Sequence, residues 1–393
     1  MRGLCPTLGT PSADDAWSPV AERSHRYGAV VTSDLLQAVA SFETAVGDRS
    51  GQDASEALDQ IRGAFSQATK EEVVAAGPRL SAVLPDVPAG PAGIVAVVIG
   101  ACVEGGAEPM ACAIPVLEGA ETAVAAALEF CNRWALSEDD EYPEPTMGDA
   151  PPEVIDRIGG SEDPTAVSAV SGWWTLPQWE QASIAVLSHK EVRLAVLPRP
   201  DLDERARSLA AASGAGQFLL AALQVLDDER MVVIHRPSGK GFEFTIGGIA
   251  DNFQLHTLLA AELVIPGHVP GTPPTELAVA ACRGATSTAP TGYESTGSFN
   301  LVAPDGTWIW NEGTPGDIPL LGDTRLLVLD PPPYERMWSA GRLFPSMTAQ
   351  LELERILSPD DVSRYMQHVK SPVLLSPGRP TKPSRRRRWR LGR

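Results

Sequence analysis

"RMVVIHRPSGKGFEFTIG" occupies residues 230–247, and its reading decides the fold class. Two runs rich in β-branched and aromatic residues flank Pro-Ser-Gly-Lys, a turn composition, so the stretch predicts an antiparallel hairpin. A four-residue loop at 237–240 pairs His235 with Phe242. Side chains alternate along strands, so Met231, Val233 and His235 share an apolar face with Phe242, Phe244 and Ile246. Val232 and Ile234 then oppose Glu243 and Thr245. The chain continues "GIADNFQLH" (248–256) into a helix whose stripe is Leu255, Leu258, Leu259 and Leu263, capped by Asp251 or Asn252.

Outward from the hairpin, "SFNLVA" and "TWIWN" flank Pro-Asp-Gly as a second hairpin signal. "TRLLVLD" and "LELERI" read as further strands, and Ser358-Pro359-Asp360-Asp361 opens a helix that runs to about His368. Ahead of the first hairpin, helices fill the chain to about residue 226; in "WWTLPQW" Thr175 is the predicted N-cap, with Gln178 as its partner. Strands mixed with helices and joined by hairpins predict α+β, with a mostly antiparallel sheet over residues 169–370.

Residues 32–136 read differently. Leu35, Val39, Phe42 and Val46 follow helical spacing up to Gly47, Leu58, Ile61 and Phe65 continue it, and Thr69 with Glu72 forms a capping-box pattern. Pro91 starts an apolar helix to 104, and another runs from about 119 to 135. These short helices form an all-helical array that is loosely similar to HEAT-type stacked pairs, although no sequence period repeats. Residues 137–164 carry ten acids, five prolines and one arginine. That composition cannot bury enough surface to fold alone, so 137–168 is expected to be an acidic linker between the two domains. Segments 1–31 and 371–393 are expected to be disordered.

The 393 residues carry a formal charge of −18 and are 43% hydrophobic. Such a balance suits a chain with real cores and disfavours general nucleic-acid binding by the folded body. Gly and Pro, 35 each, match a high-GC, bacterial coding bias. Five cysteines, none in a CxxC pair, indicate neither a zinc cage nor a disulfide framework, so no metal and no cofactor is expected. The first residues lack a signal-peptide core, and the run 93–103 is too short for a bilayer span, so the reading is cytoplasmic with no membrane span.

Three groups of residues carry candidate chemistry. His235, Asp251 and His256 would make an acid–base site if they converged, because imidazole transfers protons near neutral pH and a carboxylate fixes its tautomer. No HxxxH or HExxH spacing and no GxSxG motif supports that, and margins of apolar faces account for both histidines. Trp308 and Trp310 alternate onto one face, either as a stacking platform or as core. Residues 379–393 hold eight cations and no acid. Arg385, Arg386, Arg387, Arg388 and Arg390 surround Trp389, a pattern for an anionic partner such as nucleic acid, or for the chain's own acidic linker. Together these features favour a non-catalytic interaction or regulatory protein whose partner is another protein. The alternatives are an enzyme with the His/Asp pocket and a nucleic-acid-associated factor using the basic tail.

Overall fold

The computed structural model describes residues 34–134, 141–145, 150–284 and 293–372. Its helices are α1 (Leu35–Gly47), α2 (Gly51–Phe65), α3 (Lys70–Val83), α4 (Ala89–Glu104), α5 (Pro109–Trp134), α6 (Pro152–Ile158), α7 (Pro164–Leu187), α8 (Lys190–Val196), α9 (Pro200–Ser213) and α10 (Gln217–Leu223). After them come β1 (Glu229–His235), β2 (Lys240–Gly247), α11 (Asn252–Leu263) and α12 (Glu276–Arg283). The chain continues with β3 (Glu294–Thr296), β4 (Asn300–Val302), β5 (Leu320–Leu321), β6 (Thr324–Asp330), β7 (Met337–Ser339), β8 (Gln350–Ile356) and α13 (Pro359–Met366). The fold is α+β: helices first, then a sheet with helices packed on it.

Local signals placed several ends correctly. α1 stops at Gly47, and the Thr69–Glu72 capping box forms in full. Ser358 caps α13, with Pro359 in the first turn. α5 starts ten residues before the expected position, at Pro109, and carries Pro115 inside it. Glu108 accounts for the early start, accepting bonds from the Met110 and Ala111 amides. Thr175 is no cap: it lies inside α7, donates its hydroxyl to Ser171 O, and is followed by an internal Pro177. The true cap is Asp163, with Pro164 at the first helical position.

α7 also moves the boundary between the two apolar cores. It packs along both α4 and α5, and the first core runs from Leu35 to Val225 and also takes in Ala250, Phe344 and Met347. The helical layer therefore runs far past residue 136, and the change of architecture falls just before β1. Gly172 allows this packing, since a Cβ there would lie 2.4 Å from Ala126 Cβ and 2.8 Å from Ala123 O. The acidic segment is held where it is described: the Trp134 and Trp173 indoles donate to Glu141 O and Pro143 O, and α6 buries Val154 and Ile158. α5 is long and apolar enough to cross a bilayer by length and composition, the one such helix among the described residues. Cys112, Val116, Leu117, Val124, Phe130 and Trp134 of this helix lie in the first core, while Ile114 is exposed.

The main sheet has the order β4-β6-β1-β2-β8, with β5 on β6. β1 pairs with β6 in parallel, and the other pairings are antiparallel. The hairpin register is two residues tighter than expected, with His235 opposite Lys240 and Val233 opposite Phe242. A 3-10 turn at 236–238 and Gly239, at φ +65°, close it. An even offset preserves faces. Met231, Val233, Phe242, Phe244 and Ile246 accordingly enter the second core with α11, while Val232 and Ile234 face α13 in the third. The Pro-Asp-Gly turn does not form a regular hairpin, since only Val302 bridges Trp308.

Candidate functional site

His235 ends β1 and is buried. Its Nδ1 lies 2.7 Å from Ser238 Oγ, and its ring meets Phe299 edge-on at 6.1 Å. Burial lowers its pKa, with help from Lys240 and against Asp330. His256 sits in the second turn of α11, fully buried, stacked on the same Phe299 at 5.4 Å. Its Nε2 accepts from the Ser298 and Phe299 amides, at 3.0 and 3.3 Å. An acceptor nitrogen carries no proton, which assigns the neutral ring's proton to Nδ1. Burial, reinforced by Arg336, pushes this imidazole down to about 3.

Asp251 caps α11 through Oδ1, 2.7 Å from the Gln254 amide. Burial pushes its carboxyl up to about 6, against the bonds from Gln254 and Phe253. Among the described residues no hydrogen bond joins Asp251 to either histidine. The two imidazoles share a phenyl ring, but His235 Nδ1 and His256 Nε2 meet different partners, and the buried His256 Nδ1 meets none among the described residues. No group of three or more His, Cys, Asp or Glu among the described residues is placed to hold a metal ion.

Trp308 and Trp310 behave differently from a core pair. Ile309 between them is buried in the second core, so the two indoles point outward, 5.9 Å apart at 58°. Trp308 is half-buried and Trp310 is 55% exposed. Their backbone is firmly held. Ile309 N bonds Leu301 O, and Asn252 Nδ2 donates to Trp310 O at 2.9 Å. Asp305 and Glu312, both exposed, flank the pair. Asp305 accepts two bonds from Thr307, which hold its carboxyl below the usual carboxylate range. Neither indole N–H meets an acceptor among the described residues. The pair thus presents one exposed and one half-buried indole on a hydrogen-bonded backbone. Arg385, Arg386, Arg387, Arg388, Trp389 and Arg390 lie outside the described residues.

A cleft that the sequence reading missed lies where the helical layer meets the sheet, with a volume of about 540 Å³. Arg193, Arg207 and Arg325 line it together with Asp203, Asp227, Glu229 and Asp317. Each guanidinium is already matched: Arg193 to Asp227 at 2.6 Å, Arg207 to Asp203 at 2.9 Å, and Arg325 to Glu229 at 2.9 Å. The arginine charges are thus taken up within the wall, and Asp317 is the one lining carboxylate whose described partner, the Thr314 amide, is uncharged. The Asp227-Asp228 pair before β1 was the available signal, but its partners are 34 to 38 residues away. Compared with protein-family models, curated proteins and solved structures, the chain matches none.

Proposed function

We propose that this chain is a non-catalytic interaction protein, cytoplasmic, whose partner is another protein that docks on the Trp308–Trp310 face. One observation carries the reading: two adjacent indoles, one of them 55% exposed, stand on a backbone clamped from the start of α11. Tryptophan is the residue most enriched at energetic centres of interfaces, because it offers a large rigid surface at low entropic cost. Covering roughly 100 Å² of indole would contribute about 2.5 kcal/mol. Asp305 and Glu312, exposed and close to the tryptophans in sequence, favour a segment bearing arginine or lysine, which can pair with a carboxylate and lie on an indole face. The histidines support this reading from the other side, since both ring environments serve the fold.

The test uses the full chain as bait in native extract, beside a bait carrying Trp308→Ala and Trp310→Ala. A partner retained by the first and lost by the second, at unchanged melting temperature, is the expected result. Identical partner sets would overturn the reading. Nucleic acid recovered equally by both baits would favour the tail as the binding element instead.

A further inference from the structure

We propose that the arginine-rich stretch 379–393 of this same chain is a resident occupant of the Trp308–Trp310 face, covering it until a partner displaces it. The inference rests on the reading of that face as the docking surface and adds what lies there in the free protein.

Position supplies the first argument. The last described residues run over the turn that carries the tryptophans. Lys370 N bonds Pro304 O at 2.7 Å, and Arg236 donates to Lys370 O. Gly306, at φ +92°, is needed for this close approach, because a Cβ there would sit 2.3 Å from Ser371 O. Trp308 is two residues further on, so its Cα lies within about 8 Å of that of Gly306. The chain beyond Pro372 thus departs beside the platform. Twelve residues lie between Pro372 and Arg385. The backbone from Pro372 to Arg385 can reach at most about 45 Å, several times the distance required.

Complementarity supplies the second. Without these eight cations the remaining chain carries −26 in place of −18. Asp305 and Glu312, exposed, stand three residues before Trp308 and two after Trp310 in the chain; Lys370 acts on Asp305, and Glu312 acts on Arg336. Four consecutive arginines match such a surface twice over: guanidinium planes stack on indoles and form bidentate pairs with carboxylates. Nucleic acid, repelled by the same carboxylates, fits this face less well. A short tether gives an effective concentration in the millimolar range, so a contact with a Kd of about 1 mM is already half-occupied.

Photo-crosslinking in the full chain tests this. Trp389 is replaced by benzoylphenylalanine, the protein is irradiated at micromolar concentration, and crosslinked peptides are mapped by mass spectrometry. The expected result is crosslinking within one chain to the peptide spanning 303–312. Yield should fall at least fivefold between 50 and 500 mM salt, and as much when Trp308→Phe and Trp310→Ala are introduced. Crosslinks concentrated on 137–164, spread over the whole surface, or formed only to co-purifying nucleic acid would each overturn the proposal. Those outcomes leave the capture experiment above free to succeed, so failure of the cover and failure of the docking face are distinguishable.

Discussion

Replacing Asp227 by Asn should destabilise the fold by about 3–5 kcal/mol, the cost typical of breaking a buried ion pair from one side. The structure gives the reason. The Arg193 and Asp227 side chains are only 2% and 4% exposed. Arg193 Nε and Nη2 reach both carboxylate oxygens at 2.6 and 2.7 Å, while Nη1 bonds Leu187 O at 2.7 Å. One guanidinium therefore ties the end of α7, through α8, to the residue just ahead of the sheet. Asn keeps the shape but leaves a buried guanidinium without its counter-charge. Arg193→Met should cost a similar amount by stranding the carboxylate. Combining Arg193→Met with Asp227→Leu should cost much less than the sum, since no charge is then left unpaired. Urea unfolding followed by far-ultraviolet circular dichroism reads all three variants, with the slope checked for constancy. Single losses below about 1 kcal/mol, or strict additivity in the double variant, would refute the argument.

Other expectations follow from named contacts. His256 is held neutral down to about pH 3 in the fold, against an ordinary value near 6.5. The unfolded chain therefore takes up the proton first as pH falls, and this residue's stabilisation is lost below about 6.5, by at most about 1.4 kcal/mol per pH unit. His256→Gln should flatten that acid-side loss in thermal melts. Asp251 runs the opposite way. Its carboxyl is raised to about 6, so its penalty grows as pH rises from about 4 to 6; Asp251→Asn, which still caps the helix, should be neutral or stabilising at pH 7.5 and costly at pH 4. A variant destabilised equally at both pH values would contradict this. Gly172→Val should cost more than 2 kcal/mol by driving α7 off the α5 backbone, and an unchanged melting temperature would show that the helices can slide apart freely. Trp173→Phe removes the bond to Pro143 O and should speed proteolysis between residues 141 and 151, with cutting elsewhere unaffected.

Much of the sheet was legible because it rests on alternation. Met231, Val233, Phe242, Phe244 and Ile246 could be assigned to one face without knowing the turn, and the actual turn shifted the register by two, which leaves faces intact. The parallel β1–β6 pair was not legible, since no local pattern announces a partner roughly ninety residues away. Thr175 misled because a Thr-x-x-Gln pattern caps a helix only if the backbone ends there, and α7 passes through it, held on both sides by α4 and α5. The acidic segment was read from composition alone. Composition cannot see the Trp134 and Trp173 indoles that anchor it. For the tryptophan pair, the shared face of Trp308 and Trp310 was readable, but their exposure was not. That exposure follows from Ile309 taking the inward position, which only the packed core decides.

The central claim is that the Trp308–Trp310 face takes arginine-rich segments. Fluorine resonance spectra of the 5-fluorotryptophan-labelled full chain test it, with Arg385, Arg386, Arg387, Arg388 and Arg390 changed to Gln so that the face is free. Trp308→Phe and Trp310→Phe variants assign the two signals. Titration with a peptide of sequence RRRRWR, prepared without fluorine, should shift those two resonances saturably, with a Kd near the millimolar range that weakens with salt. The signals of the buried Trp134, Trp173, Trp174 and Trp179 should stay in place. No shift at Trp308 and Trp310 up to 10 mM peptide, or equal shifts at all tryptophans, would contradict the account.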